Sequence, residues 1–82
     1  MAVISSETLH ATTVVIDGRG VAIEGPSGSG KSDLALRLID RGAKLVSDDV
    51  SLVARVDGVL RVRAPDTIRA RMEVRGIGIV AV

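Results

Sequence analysis

The 82-residue chain contains no cysteine and no phenylalanine, tyrosine or tryptophan. Without cysteine there are no disulfides and no thiolate metal sites, which agrees with a reducing compartment. Without these rings, stacking of a Phe, Tyr or Trp on a nucleobase is excluded, and the core has to be built from Val, Ile, Leu and Ala. A chain of this length buries only about 60–65% of the surface its unfolded form exposes, so stability rests on few contacts in one small domain. Apolar runs stay well below the ~20 residues of a membrane span, and no basic-then-apolar leader is seen. The expectation is a cytoplasmic protein that does not engage a membrane.

Charge is nearly balanced, at a formal +1, but unevenly placed. Residues 1–49 carry five basic and seven acidic groups, and residues 50–82 carry six basic and three acidic. Scattered arginines without interleaved aromatics read as a solvated face, so no nucleic-acid partner is expected.

What is present is organised around Gly25-Pro26-Ser27-Gly28-Ser29-Gly30-Lys31-Ser32, which satisfies G-x-x-x-x-G-K-[ST] at every fixed position. Glycines at 25, 28 and 30 let successive backbone N–H groups converge on phosphate oxygens. A helix starting at Lys31 points its positive end at the same anion. Lys31 is then expected to reach the β/γ-phosphates of a nucleotide, with the Ser32 hydroxyl on magnesium. An apolar strand pattern before the loop and an apolar helical pattern after it provide the context this motif requires.

Thr12-Thr13-Val14-Val15-Ile16 and Val21-Ala22-Ile23-Glu24 are β-branched runs joined by Asp17-Gly18-Arg19-Gly20, a link short enough only for an antiparallel hairpin. An antiparallel strand directly before the phosphate loop predicts an α/β domain with a mixed sheet. Residues 1–7 show no clear period and read as a lead-in or an edge strand. The helix carries Leu34, Ala35, Leu38 and Ile39 as one apolar stripe, with Arg37 and Asp40 outward and Gly42 placed to stop it. Lys44-Leu45-Val46-Ser47 reads as a short strand that completes a βαβ unit, so Asp48 and Asp49 arrive beside the bound phosphates. A carboxylate there can hold Mg²⁺ directly or through water, and a second can accept a proton from an attacking hydroxyl.

Val50, Leu52, Ala54 and Val56 alternate with Ser51 and Arg55. Asp57-Gly58 then turns the chain into Val59-Leu60-Arg61-Val62-Arg63, a second hairpin. Two helical turns capped by Asp66 are expected over 66–72. Glu73-Val74-Arg75-Gly76-Ile77-Gly78-Ile79 returns to strand character, with Glu73 and Arg75 on one side and Val74 on the other. The terminal run Gly76 to Val82 is apolar with no polar close, and the expectation is that more chain follows and that the lone strand edge invites association.

Taken together, His10, the loop with Asp33 after it, Arg41-Gly42, Leu45-Val46-Ser47-Asp48-Asp49 and Glu73-Val74-Arg75-Gly76-Ile77-Gly78-Ile79 resemble HPr kinase/phosphorylase. That bacterial family phosphorylates a serine of the phosphocarrier HPr of the phosphotransferase system. The resemblance implies a fold like that of phosphoenolpyruvate carboxykinase, ATP and Mg²⁺ as cofactors, HPr as protein partner and a homo-oligomer. It also implies roles: Gly25, Pro26, Ser27, Gly28, Ser29, Gly30, Lys31 and Ser32 bind the nucleotide, and Ser32 and Glu73 ligate Mg²⁺. Asp49 is the acid/base with Asp48 beside it, and His10 assists at the reacting phosphate. Asp33, Ala43 and Ser47 stand where the family commonly has Glu, His and Ala. A family arginine and the loop beyond it would lie past Val82, and the missing N-terminal domain resembles the short alpha-proteobacterial form.

The implied activity is a serine protein kinase using Mg-ATP, reversible by phosphorolysis. A small-molecule kinase and a non-catalytic nucleotide-binding module are the alternatives.

Overall fold

The computed structural model describes residues 4–26, 28–66 and 71–82. The described strands form two four-stranded sheets, with one helix outside them. In chain order the elements are β1 (Ile4–Leu9), β2 (Thr12–Ile16), β3 (Arg19–Glu24), α1 (Lys31–Asp40), β4 (Lys44–Ser47), β5 (Ser51–Val56), β6 (Val59–Arg63), β7 (Met72–Val74) and β8 (Ile77–Ala81).

Both expected hairpins form, and for the same reason. Asp17 and Gly18 have φ of 52° and 74°, and Asp57 and Gly58 have 52° and 80°. Left-handed backbone at both central residues matches the right-handed twist of the flanking strands, and Asp-Gly tolerates it. Gly18 also lies under the Arg75 guanidinium, whose Nε would be 3.2 Å from an added Cβ.

The sheet that holds the glycine-rich loop has the order β4-β2-β3-β8. Strand β2 is antiparallel to both β3 and β4, and β8 is parallel to β3. Strands β3 and β4 therefore run in the same direction, as a βαβ unit demands, but they are not neighbours. The two-residue hairpin commits one edge of β3 to β2, so the chain returning through α1 adds β4 to the far edge of β2. The mixed sheet is as expected; the intervening strand is new.

The second sheet has the order β1-β5-β6-β7, antiparallel throughout. The lead-in is thus an edge strand, paired with β5 from Ile4 opposite Val56 to Leu9 opposite Ser51. Its inner face packs against the first sheet through buried Val15, Val62 and Val74, with Val46, Val53, Leu60, Met72 and Ile77 around them. On the other side of the first sheet, Val14 and Ile23 bury against Ala35 and Ala43, surrounded by Leu34, Leu38 and Ile39 of the predicted helical stripe. Gly42, at φ 106°, ends that helix.

Two details depart from the sequence reading. The helix expected over 66–72 is not reached at its ends, since Asp66 lies in a turn and Met72 belongs to β7; positions 67–70 lie outside the described residues. On β5 the inward face carries buried Ser51 and Val53, which packs against the core between the sheets; Leu52, Val53 and Ala54 are all half-buried. Ser51 can face inward because its hydroxyl is satisfied there. It donates to the Ala11 carbonyl at 2.8 Å, which leaves the Thr13 hydroxyl to donate to Ser51 Oγ at 2.7 Å. Thr13 and Ser51 are both fully buried, and this relay pins β2 to β5 across the two sheets.

Removing Ser51 strands the Thr13 hydroxyl in a dry interface, which costs about 1–3 kcal/mol, whereas removing the Thr13 hydroxyl leaves Ser51 still bonded to Ala11. Ser51→Ala should lower stability by that order and Thr13→Val by less, and the double variant should fall short of their sum, because the Thr13 hydroxyl stranded by Ser51→Ala is then absent. Equilibrium denaturation of the four proteins checks this, and strict additivity would contradict it.

Candidate active site

The loop leaves the carboxyl end of β3 and curls back into α1. Ser29 N–H donates to the Pro26 carbonyl at 3.1 Å, and Leu34 N–H donates to the Gly30 carbonyl at 3.0 Å, opening the helix. Gly28 and Gly30 have φ of 81° and 100°, conformations that side chains with a Cβ avoid. At Gly25 the constraint is space: an added Cβ would lie 2.6 Å from Ser29 Oγ and 2.7 Å from the Val82 carbonyl oxygen. Ser27 lies outside the described residues.

Three features of this loop suit an anion with several oxygens. Gly30 is the N-cap of α1 and no described side chain caps the helix, so its first N–H groups remain for an external acceptor. Ser29 Oγ is buried without a hydrogen-bond partner among the described residues. The acid Asp33 in the first turn is turned to Arg37, 3.2 Å away on the exposed face, rather than to the helix end.

The carboxylates come from the end of β4, and a bulge decides which residue meets which. Val14 pairs with Leu45, but Thr13 pairs with Ser47, so β4 carries Val46 as an extra residue. Without it Thr12 would oppose Ser47; with it Thr12 meets Asp48. The Thr12 hydroxyl donates to Asp48 Oδ1 at 2.9 Å and accepts from the Asp49 N–H at 3.4 Å. Val50 N–H donates to the Asp48 carbonyl at 2.8 Å across Asp49, whose φ is 67°. This is a γ-turn of the rare, strained hand. The Ser47 hydroxyl, buried, donates to the Val50 carbonyl and closes the same turn.

Lys31 and Asp49 meet across the gap between the two strand ends. Lys31 Nζ is 3.8 Å from Asp49 Oδ1, with the lysine side chain 15% exposed and the aspartate 79% exposed. Beside them, Thr12, Ser32 and Asp48 share a hollow of about 170 Å³ with Ala35, Leu36, Ile39 and Leu45. The expected loop residues, Ser32, Lys31, Asp48 and Asp49 are thus brought together. His10 is exposed in the link between β1 and β2, two residues before Thr12 and so at the same sheet end.

Glu73, which the resemblance paired with Ser32 as a Mg²⁺ ligand, is not brought beside the loop. It stands on β7 opposite Arg61. The residues after it hold the β2–β3 turn: Arg75 N–H donates to the Gly18 carbonyl at 2.8 Å, and its guanidinium donates to the Asp17 carbonyl. Strand β8 then starts beside Gly20 and ends beside Glu24. Glu73 therefore sits toward the start of β3, about one strand length, roughly 15 Å, from the loop at its end. Thr12, bonded to both aspartates, is the site neighbour that sequence reasoning missed. Its only sequence signal was a polar residue in a β-branched run.

The model of the HPr Serine kinase C-terminal domain matches residues 2–82. The chain belongs to that family. It is 47% identical over 75 residues to the HPr kinase/phosphorylase of Peptoclostridium acidaminophilum, covering 90% of this chain and 24% of the relative. With that of Limosilactobacillus reuteri strain DSM 20016 it shares 47% over 77 residues, 93% of this chain and 24% of the relative. Among solved structures it resembles the Hpr(Ser) kinase/phosphatase from Coxiella burnetii, with a TM-score of 0.64 and 44% identity over 74% of this chain and 37% of that one. The chain of this HPr kinase domain thus spans about a quarter of the length of the curated relatives it matches.

The left-handed backbone at Asp49 makes a stability prediction that is independent of catalysis. Asp49→Gly should be more stable than Asp49→Ala by about 1 kcal/mol, because both lose the carboxylate but only glycine adopts that φ without strain. Thermal unfolding of the two variants reads this, and equal stability would show that the turn relaxes.

Proposed function

We propose that this HPr kinase domain contributes the nucleotide site and proton acceptor of a cytoplasmic serine protein kinase that phosphorylates HPr from ATP, with phosphorolysis of phospho-HPr as the reverse reaction. The observation that carries the reading is the approach of Lys31 and Asp49, delivered from α1 and β4, in front of an uncapped helix N-terminus. A cation, free N–H groups and a solvent-facing carboxylate at one point are what phosphoryl transfer to a hydroxyl needs.

Magnesium-ATP, when bound, supplies the phosphoryl group and part of the charge that neutralises it. The residues divide the remaining work. Backbone N–H groups of the loop and of the first turn of α1 hold phosphate oxygens, and the orphaned Ser29 hydroxyl gains an acceptor there. Lys31 exchanges its weak pairing with exposed Asp49 for the β/γ-phosphates. The Ser32 hydroxyl is the loop's metal ligand, with the Asp48 carboxylate lining the same hollow. Magnesium keeps most of its waters and takes one or two protein ligands, so no larger cluster is required; among the described residues none of three or more His, Asp or Glu is gathered. Asp49, left free by Lys31, accepts the proton of the incoming serine, with His10 at the rim.

Self-association belongs to the same proposal. It is supported by the family resemblance, and among the described strands β8 lies at a sheet edge with Ile79 and Val80 59% and 40% exposed. The fold kinship to phosphoenolpyruvate carboxykinase is also proposed on the mixed sheet around the loop. No described helix is long and apolar enough to cross a membrane.

Incubating the full-length gene product with Mg-ATP and HPr, with phosphoserine mapping, tests the reading; phosphorylation of a metabolite instead of HPr would replace it. Lys31→Ala should abolish transfer and weaken ATP binding strongly. Asp49→Asn should keep nucleotide affinity within about tenfold but lower turnover by roughly 10²–10⁴, the usual share of a general base. If ATP binding collapsed instead, Asp49 would be chiefly a metal ligand.

A further inference from the structure

We propose that Thr12 is a positioning residue that assigns different tasks to the two adjacent aspartates; the inference rests on the kinase reading above. Asp48 and Asp49 are chemically identical neighbours, and both are exposed. Their surroundings differ through one hydroxyl. Thr12 is 2% exposed, at the start of β2, and has a single proton to give. It gives it to Asp48 Oδ1 at 2.9 Å, while its lone pairs face the Asp49 N–H at 3.4 Å.

The consequences for the two carboxylates are opposite. Asp48 has one oxygen occupied by a buried donor on a strand bonded along both edges, so its side chain is fixed and its other oxygen is aimed. That suits a group which orients water or metal and does not itself move. Asp49 receives only a backbone restraint. The Thr12 oxygen helps to hold it in the strained γ-turn that sends its side chain outward, where Lys31 meets it at 3.8 Å. That suits a proton acceptor which must reach a hydroxyl on another protein. Thr12 thus holds one aspartate and presents the other, without touching substrate.

The β-branched shape of threonine serves this arrangement, because strand backbone leaves it few χ1 choices. The hydroxyl is the essential atom. Valine keeps the shape and removes it; serine keeps it and removes the methyl group.

The test compares Thr12→Val and Thr12→Ser with wild type in the full-length protein. Steady-state phosphorylation of HPr gives kcat and the KM for ATP, and backbone amide exchange at Asp49 is measured without nucleotide. For Thr12→Val the expected result is a kcat lower by about 10- to 100-fold with the KM for ATP within about threefold, since only the geometry of the aspartates is lost. Asp49 exchange should accelerate, and Thr12→Ser should restore most of both. An unchanged kcat in Thr12→Val, a raised KM at unchanged kcat, or a Thr12→Ser as impaired as Thr12→Val would overturn the proposal. Should Thr12→Val fail to fold, Thr12→Ala removes the same hydroxyl from a smaller side chain and is judged by the same criteria. If the wild type transfers nothing to HPr, the kinase reading fails, and exchange at Asp49 still decides whether the hydroxyl holds the turn: equal exchange in wild type and Thr12→Val would overturn it.

Discussion

Strand β2 is bonded along both edges, and its first two side chains serve opposite layers of the molecule. The Thr13 hydroxyl donates to Ser51 Oγ, which in turn donates to the Ala11 carbonyl, fixing the second sheet. Thr12, one residue earlier, points to the other side and holds Asp48. Because β2 separates β3 from β4, it also sets the gap between the glycine-rich loop and the aspartates. Had the strands been adjacent, their ends would lie about 5 Å apart; with one strand between them the gap is about 10 Å, enough for a phosphate chain to enter.

Local costs gather at this end of the sheet. Among the described residues the helix start has no side-chain cap and Ser29 Oγ is buried without a partner, and Asp49 occupies a strained backbone conformation. Each is worth about 1–3 kcal/mol, and none is placed where it would aid folding. In the proposed function, a bound phosphate chain gives the helix start and the Ser29 hydroxyl their partner, and the Asp49 turn presents its carboxylate. The opposite end of the sheet is arranged for stability. There Arg75 clasps the β2–β3 turn, Val74 is buried, and the conspicuous Glu73-Val74-Arg75-Gly76 segment locks the two sheets together.

Much of this was legible in the residues. The loop motif, both Asp-Gly turns, the stripe of α1, its stop at Gly42 and the short strand before Asp48 are local signals, each decided by a few neighbouring residues. What the sequence left hidden depends on distant partners. Ser51 looked like the polar side of an alternating strand, yet it faces inward because Thr13, 38 positions away, accepts the arrangement. The bulge at Val46 has no turn residue to announce it, and it alone moves Asp48 opposite Thr12. The position of Glu73 is equally non-local: Arg75 is bonded to the β2–β3 turn and β8 starts beside Gly20, which leaves Glu73 toward the start of β3. The placement of β4 beyond β2 follows from edge occupancy, which no local pattern encodes.

The central claim is that bound phosphates lie between the α1 N-terminus and the end of β4, and nowhere near Glu73. Titrating the isotopically labelled chain with a non-hydrolysable Mg-ATP analogue, while following backbone amides by NMR, tests this directly. The account predicts that the largest shifts fall on residues 28–33 and 48–50, with residues 17–18 and 72–76 nearly unmoved. Shifts centred on the β2–β3 turn and Glu73, with the loop and Asp49 unmoved, would contradict it.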